Sequence, residues 1–121
     1  MHKEFSGCVV LVTGAAQGIG KILGMKFGLA GAKVVLTDIQ EDLGREAVKK
    51  FSEMGIIAEF VAADLRKESD IERMIQESIK LFGGLDVLIN NARVPLLKKE
   101  FFGLLRNHLA PNKYSCNLFL C

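Results

Sequence analysis

Three glycines, Gly14, Gly18 and Gly20, in the run Thr13-Gly-Ala-Ala-Gln-Gly-Ile-Gly20, constrain this chain more than any other feature. They stand between an apolar stretch, Cys8-Val-Val-Leu-Val12, and a helical pattern that opens near Ile19. A strand, a tight turn and a helix N-terminus in that order make a seat for a phosphate. The first turn of a helix leaves N–H groups without intrahelical partners, and the macrodipole places roughly half a positive charge there. Glycine has no Cβ, so its backbone can turn sharply and come within hydrogen-bonding reach of a diphosphate. Eighteen residues beyond Gly20, closing a second apolar run, stands Asp38. A carboxylate at about that separation is expected to hold the ribose hydroxyls of a dinucleotide. The plainer readings are a tight turn without a ligand and, for Asp38, a strand-end or helix-capping carboxylate.

Strand-like and helix-like segments alternate along the chain. Short apolar runs predict strands over 9–12, 33–37, 57–62 and 87–89, the pattern of strands covered on both faces. Helices are predicted between them. The first runs over 19–30 and stops at Gly31; the second runs over 41–54, burying Leu43, Ala47, Val48, Phe51 and Met54, and stops at Gly55. In the third, Ser69-Asp-Ile-Glu72 reads as a capping box, followed at helical spacing by Ile71, Met74, Ile75, Ile79 and Phe82 and ended by Gly83-Gly84. Strands alternating with helices of this length imply βαβ crossovers and a parallel sheet, hence an α/β fold.

The glycine spacing departs from the common dinucleotide fingerprint, with intervals of four and then two, and Ala16 where a second glycine would fall. Gly-x-x-x-Gly-x-Gly after a threonine resembles the short-chain dehydrogenase/reductase family. Ala63-Asp64-Leu65 and Asn90-Asn91-Ala92 support that resemblance, which covers residues 9–92. It implies a Rossmann-like doubly wound parallel sheet, here partial, with about four strands in the order 3-2-1-4. It also implies that Thr13 fixes the turn and Ile19 lies against the cofactor. By the same resemblance the Asp64 side chain and the Leu65 backbone frame an adenine. Asn90 and Asn91 brace the sheet, and the backbone through Ala92 follows the cofactor ribose. A simple strand-end turn is the alternative for Asp64 and Leu65. Where the family usually has glycine next, this chain has Arg93.

Asp38 bears on the choice of cofactor, because a carboxylate accepts from both ribose hydroxyls and repels a 2′-phosphate. Position 39 is Ile, and Gln17 stands where phosphate-preferring relatives often carry a basic residue. NAD is therefore expected rather than NADP. Hydride exchange with an alcohol also needs an acid/base for the hydroxyl proton. Relatives use a Ser and a Tyr-x-x-x-Lys, but the only tyrosine here is Tyr114, followed four places on by Leu118. Ser115 lies on the wrong side of it, and His108 reads as a solvated surface residue. No catalytic set is expected, and no metal ligands, since Cys8, Cys116 and Cys121 lack metal-ligand spacing.

Composition narrows the remaining classes. Of the 121 residues, 50% are hydrophobic and 25% charged, which speaks for a folded chain of one domain at most. The net charge of +2 gives no reason to expect nucleic acid, and no run is apolar for the length that spans a bilayer. Cysteine usage and the absence of a signal-peptide core suggest a reducing, cytoplasmic setting. Residues 1–92 hold 11 Lys/Arg against 13 Asp/Glu, while 93–121 hold 5 against 1. The alternation also fails there. Residues 1–92 thus read as an NAD(P)-binding half-domain, and 93–121 as an atypical basic and apolar tail, a product of truncation or a shifted frame, or else a genuine fifth-strand region. Strand four would be left as an open edge, which favours self-association. The function expected is the cofactor-binding part of an oxidoreductase, not catalytic by itself. A non-catalytic dinucleotide-binding or interaction module, or an inactive truncated product, stays open.

Overall fold

A computed structural model describes residues 4–92. Arg93 and the tail residues His108, Tyr114, Ser115, Cys116, Leu118 and Cys121, on which several expectations fall, lie outside the described residues. The elements alternate as β1 (Val9–Thr13), α1 (Gly18–Leu29), β2 (Lys33–Asp38), α2 (Glu41–Glu53), β3 (Ala58–Ala62), α3 (Glu68–Phe82) and β4 (Val87–Ile89). The four strands form one parallel sheet in the order β3-β2-β1-β4. Val12 lies opposite Leu36 on one side and Ile89 on the other, which brings the C-terminal ends of these three strands level.

Side chains alternate across a strand, so the apolar runs supply two cores at once. Val9 and Leu11 of β1 join Val35, Leu88 and the buried face of α3 (Ile71, Met74, Ile75). Val10 and Val12 join Val34, Leu36 and Ile89 on the other face, against Ala47 and Phe51 of α2. Helices therefore cover both faces, the doubly wound α/β arrangement. α1 reaches the sheet through a stripe of buried glycines, Gly20, Gly24 and Gly28. A Cβ added at Gly24 would lie 2.8 Å from Leu36 Cδ2, so a side chain there would have to displace Leu36.

Three local expectations need correction. The capping box does not form: α3 starts at Glu68, Lys67 is its N-cap without a side-chain bond, and Ser69 is exposed inside the first turn. Glu68 and Asp70 already complement the N-terminal charge, and Asp70 Oδ2 takes the Asp64 N–H at 2.9 Å. In α2, Leu43 is 38% exposed, because the inward place falls to Gly44 and the Phe60 ring fills the space beside it; Met54, expected to be buried, follows the helix as its C-cap and is 44% exposed. Ile57 stands before β3 and is 58% exposed, although its carbonyl accepts the Val34 N–H at 2.9 Å.

No motif or spacing marks Asp86, which is 9% exposed. Its Oδ2 accepts the Val9 N–H at 2.8 Å and its own N–H donates to the Val9 carbonyl at 2.9 Å. These two bonds join the start of β1 to the residue before β4.

Candidate dinucleotide site

All the candidate residues gather at the C-terminal ends of the strands. After β2 and β3 have been laid on one side of β1, the chain returns to place β4 on the other. In open α/β sheets such a reversal leaves a crevice outside the strand ends where ligands bind.

Thr13, the last residue of β1, is fully buried and organises the crevice floor. Its hydroxyl donates to Asn90 Oδ1 at 2.9 Å and accepts the N–H groups of Asn91 and Ala92 at 3.0 and 3.1 Å. Asn91 Nδ2 donates to the Gly14 carbonyl at 3.1 Å. The segment after β4 is thus tied directly to the glycine turn. Gly14 takes φ +62° and Gly18 φ +64°, a region costly for residues with a Cβ. At Gly20 the constraint is space, since a Cβ there would overlap the Gly14 carbonyl and crowd Asn91 Nδ2.

Asp38 holds the other side of the turn. Its Oδ2 accepts the Ala16 N–H at 3.0 Å and its Oδ1 the Gln40 N–H at 3.0 Å. A carboxylate has about four acceptor sites, so each oxygen keeps one for a further donor. Gln17, Gly18 and Ile19 are exposed at the mouth of the turn, and Gln17 is the N-cap of α1 without making a side-chain capping bond.

Beside Asp38 lies a cavity of about 330 Å³, lined in part by Gly14, Asp38, Ile39, Asp64, Leu65 and Arg66, with Ala92 closing one side. The structure brings Gly14, Asp38, Asp64, Leu65 and Ala92 together in one cavity. Thr13, Asn90 and Asn91 brace it from below, and Gln17, Gly18, Ile19 and Gly20 lie along the adjoining turn. Arg66 was not foreseen, because an arginine one residue past Leu65 has no sequence signature. Arg66 Nε and its backbone N–H donate to Asp64 Oδ1 at 2.9 and 3.0 Å, and Nη2 donates to Oδ2 at 2.9 Å. These bonds hold the Asp64 carboxyl down from its ordinary 3.8 to about 2, and the guanidinium is raised in return.

Among the described residues no group of three or more His, Cys, Asp or Glu side chains could hold a metal ion, and no helix is long and apolar enough to cross a membrane.

A glycine turn entering a helix, a carboxylate at the end of the next strand and a cavity at the strand reversal define the Rossmann-like nucleotide-binding class. Within it, the family model described as short chain dehydrogenase matches residues 8–119, and the chain belongs to that family of oxidoreductases. It is 43% identical over 91 residues to an uncharacterized oxidoreductase of Thermotoga maritima, covering 75% of this chain and 36% of the relative. It is 44% identical to xanthoxin dehydrogenase of Arabidopsis thaliana over 88 residues, 71% of this chain and 31% of that one. Among solved structures, a dehydrogenase/reductase from Sinorhizobium meliloti superposes with a TM-score of 0.80 at 27% identity, over 95% of this chain and 54% of its own. A short chain dehydrogenase/reductase from Burkholderia phymatum, solved in complex with NAD, superposes with a TM-score of 0.72 at 30% identity, over 75% of this chain and 32% of its own. The chain spans about a third of the length of the curated relatives it matches.

Proposed function

We propose that residues 1–92 are the cofactor-holding half of a short-chain oxidoreductase and that the cofactor is NAD rather than NADP. The opening of α1 carries this reading. Gln17 makes no capping bond, the first turn holds no acidic residue, and open space surrounds the position of a Cβ at Gly18. Helices α2 and α3 fill the same position with Glu41 and Asp42, and with Glu68 and Asp70. A diphosphate suits the first arrangement better than the others, because the first turn of α1 carries no acidic residue of its own to occupy its N–H groups and the positive end of the dipole.

Gly14, Gly18 and Gly20 give the diphosphate its approach, with Thr13 holding the turn and Gln17 and Ile19 at its mouth. The free acceptor sites of Asp38 suit the two ribose hydroxyls and oppose a 2′-phosphate. The cavity between Asp38 and Asp64, within the range of roughly 300–1,000 Å³ typical of small-molecule pockets, suits the base, with Leu65 as its floor. Asn90, Asn91 and Ala92 line the path toward the second ribose. Bound NAD supplies the ring that accepts a hydride from a secondary alcohol or returns it to a ketone. The 121 residues contain no Tyr-x-x-x-Lys, so this chain is proposed to bind cofactor without turning over alcohols by itself. A reducing, cytoplasmic setting is part of the same proposal, resting on the cysteine usage of the sequence.

A second reading, an interaction module, draws on β4. Among the described residues this strand pairs with β1 alone, and an open edge accepts another strand. Concentration-dependent self-association in sedimentation velocity is its expected signature, and a monomer at all concentrations would remove it.

Calorimetric titration tests the cofactor reading. NAD is expected to bind and NADP to bind at least about tenfold more weakly, a difference of about 1.4 kcal/mol. Asp38→Ala should narrow that gap. Absence of any NAD binding would overturn the proposal.

A further inference from the structure

The outward side of α1 differs from that of the other two helices. Gly20, Gly24 and Gly28 recur every fourth residue and turn one side of α1 to the sheet. At 3.6 residues per turn, positions 22, 26 and 29 fall on the opposite side. Ile22 and Leu29 stand there with 53% and 44% of their surface exposed, on either side of the exposed Lys26. Helices α2 and α3 instead expose acidic and basic side chains joined in pairs, Arg45 with Glu41, Lys50 with Glu46 and Arg73 with Glu77. α1 contains no Asp or Glu, and among the described residues neither Lys21 nor Lys26 has an ion-pair partner. Glu4 precedes Phe5, whose N–H donates to the Ala30 carbonyl at 2.9 Å, so that acid stands past the end of the helix rather than along it.

We propose that this ridge docks on an anionic lipid surface: Ile22 and Leu29 enter the boundary between headgroups and acyl chains, and Lys21 and Lys26 lie among the anionic headgroups. A lysine stem covers apolar surface while its ammonium stays with the phosphates. Lying on a surface needs no helix long enough to span. The size of the ridge favours lipid over protein. Its 12 residues, rising about 1.5 Å each on a helix about 10 Å wide, offer about 200 Å², against about 800 Å² per partner in a stable protein interface. Pairing the ridge with that of a second copy would also bring lysines together from both sides. A lipid surface takes side chains one at a time and requires no matching shape. The association is weak and reversible, since even a whole myristoyl chain gives an association constant of only about 10⁴ M⁻¹. Neither Ile22 nor Leu29 lines the cavity beside Asp38, so this docking does not depend on the cofactor reading.

Co-sedimentation of the full chain with unilamellar vesicles tests the proposal. One set contains phosphatidylcholine and phosphatidylserine, the other phosphatidylcholine alone. At about millimolar lipid the mixed vesicles are expected to carry down a substantial fraction of the protein. Binding to phosphatidylcholine alone should be at least about tenfold weaker, since each lysine near an anionic surface contributes about fivefold. Added salt should narrow that gap. The double variant Ile22→Gln/Leu29→Gln should lose at least about tenfold on mixed vesicles with its melting temperature unchanged, as exposed substitutions generally leave stability alone. Lys21→Gln/Lys26→Gln should remove the preference for the anionic set. If the double variant does not fold, Ile22→Gln and Leu29→Gln are tested singly. No sedimentation with mixed vesicles overturns the proposal. Undiminished binding by the Ile22 and Leu29 variants does so too, because it assigns the lipid contact to another part of the chain such as the basic residues 93–121. Self-association that these variants abolish, without any vesicle binding, gives the ridge to a second copy and overturns it as well.

Discussion

At Thr13 one hydroxyl serves three partners, and this single side chain joins β1 to the segment after β4. Thr13→Val keeps the shape and removes all three bonds, leaving two backbone donors without that acceptor. The expected loss is about 1–3 kcal/mol in denaturant unfolding. Asp64 gives a second prediction at this scale. Its folded pKa lies below the ordinary value, so its stabilising contribution is present above pH 3.8 and is lost as the pH falls toward 2. An NMR titration of the Asp64 carboxyl should show a midpoint near 2 in the wild type. In Arg66→Ala it should move back toward 3.8, since the Arg66 side-chain bonds are the largest cause.

Among the elements, α1 and α3 contrast in how their N-termini are handled. The first turn of α3 carries its own acidic residues and needs no serine cap, so Ser69→Ala should change stability by less than about 0.5 kcal/mol, as exposed substitutions generally do. A working cap would cost about 1 kcal/mol, and chemical denaturation separates the two outcomes. α1 has no acidic residue there, and its approach to the turn depends on Gly20. Gly20→Ala drives a methyl into the Gly14 carbonyl, and backbone yields less readily than a flexible side-chain end. A loss of about 1–3 kcal/mol is expected, together with weakened NAD binding in the same calorimetric assay.

For the whole molecule, the sheet order and the two cores place every candidate residue at one end of the strands. Binding there couples to folding, because the turn, the Asp38 loop and the Asn90–Asn91 segment hold one shape only when the strands beneath are paired. A thermal melt should therefore rise with NAD concentration. At a hundredfold excess over the dissociation constant the gain is about 2.7 kcal/mol. A melt insensitive to NAD would separate the fold from the proposed ligand.

The sequence by itself determined the parts that depend on local pattern. Apolar runs of strand length, helical spacing and glycines at turns defined seven elements in their correct order, because backbone geometry imposes periods of 2 and 3.6 on whatever is buried. Motif spacing likewise located Gly14, Gly18, Gly20 and Asp38. Only the tertiary structure decided what each side chain meets. Leu43 yielded its inward place to Gly44 because a ring from β3 occupies it. Asp86 found its partner at Val9, and Asp64 came under the control of Arg66 and Asp70. Pairings such as Asp86 with Val9 join residues far apart in the chain, and even the short-range bonds depend on how packing turns each loop. Linear spacing records neither.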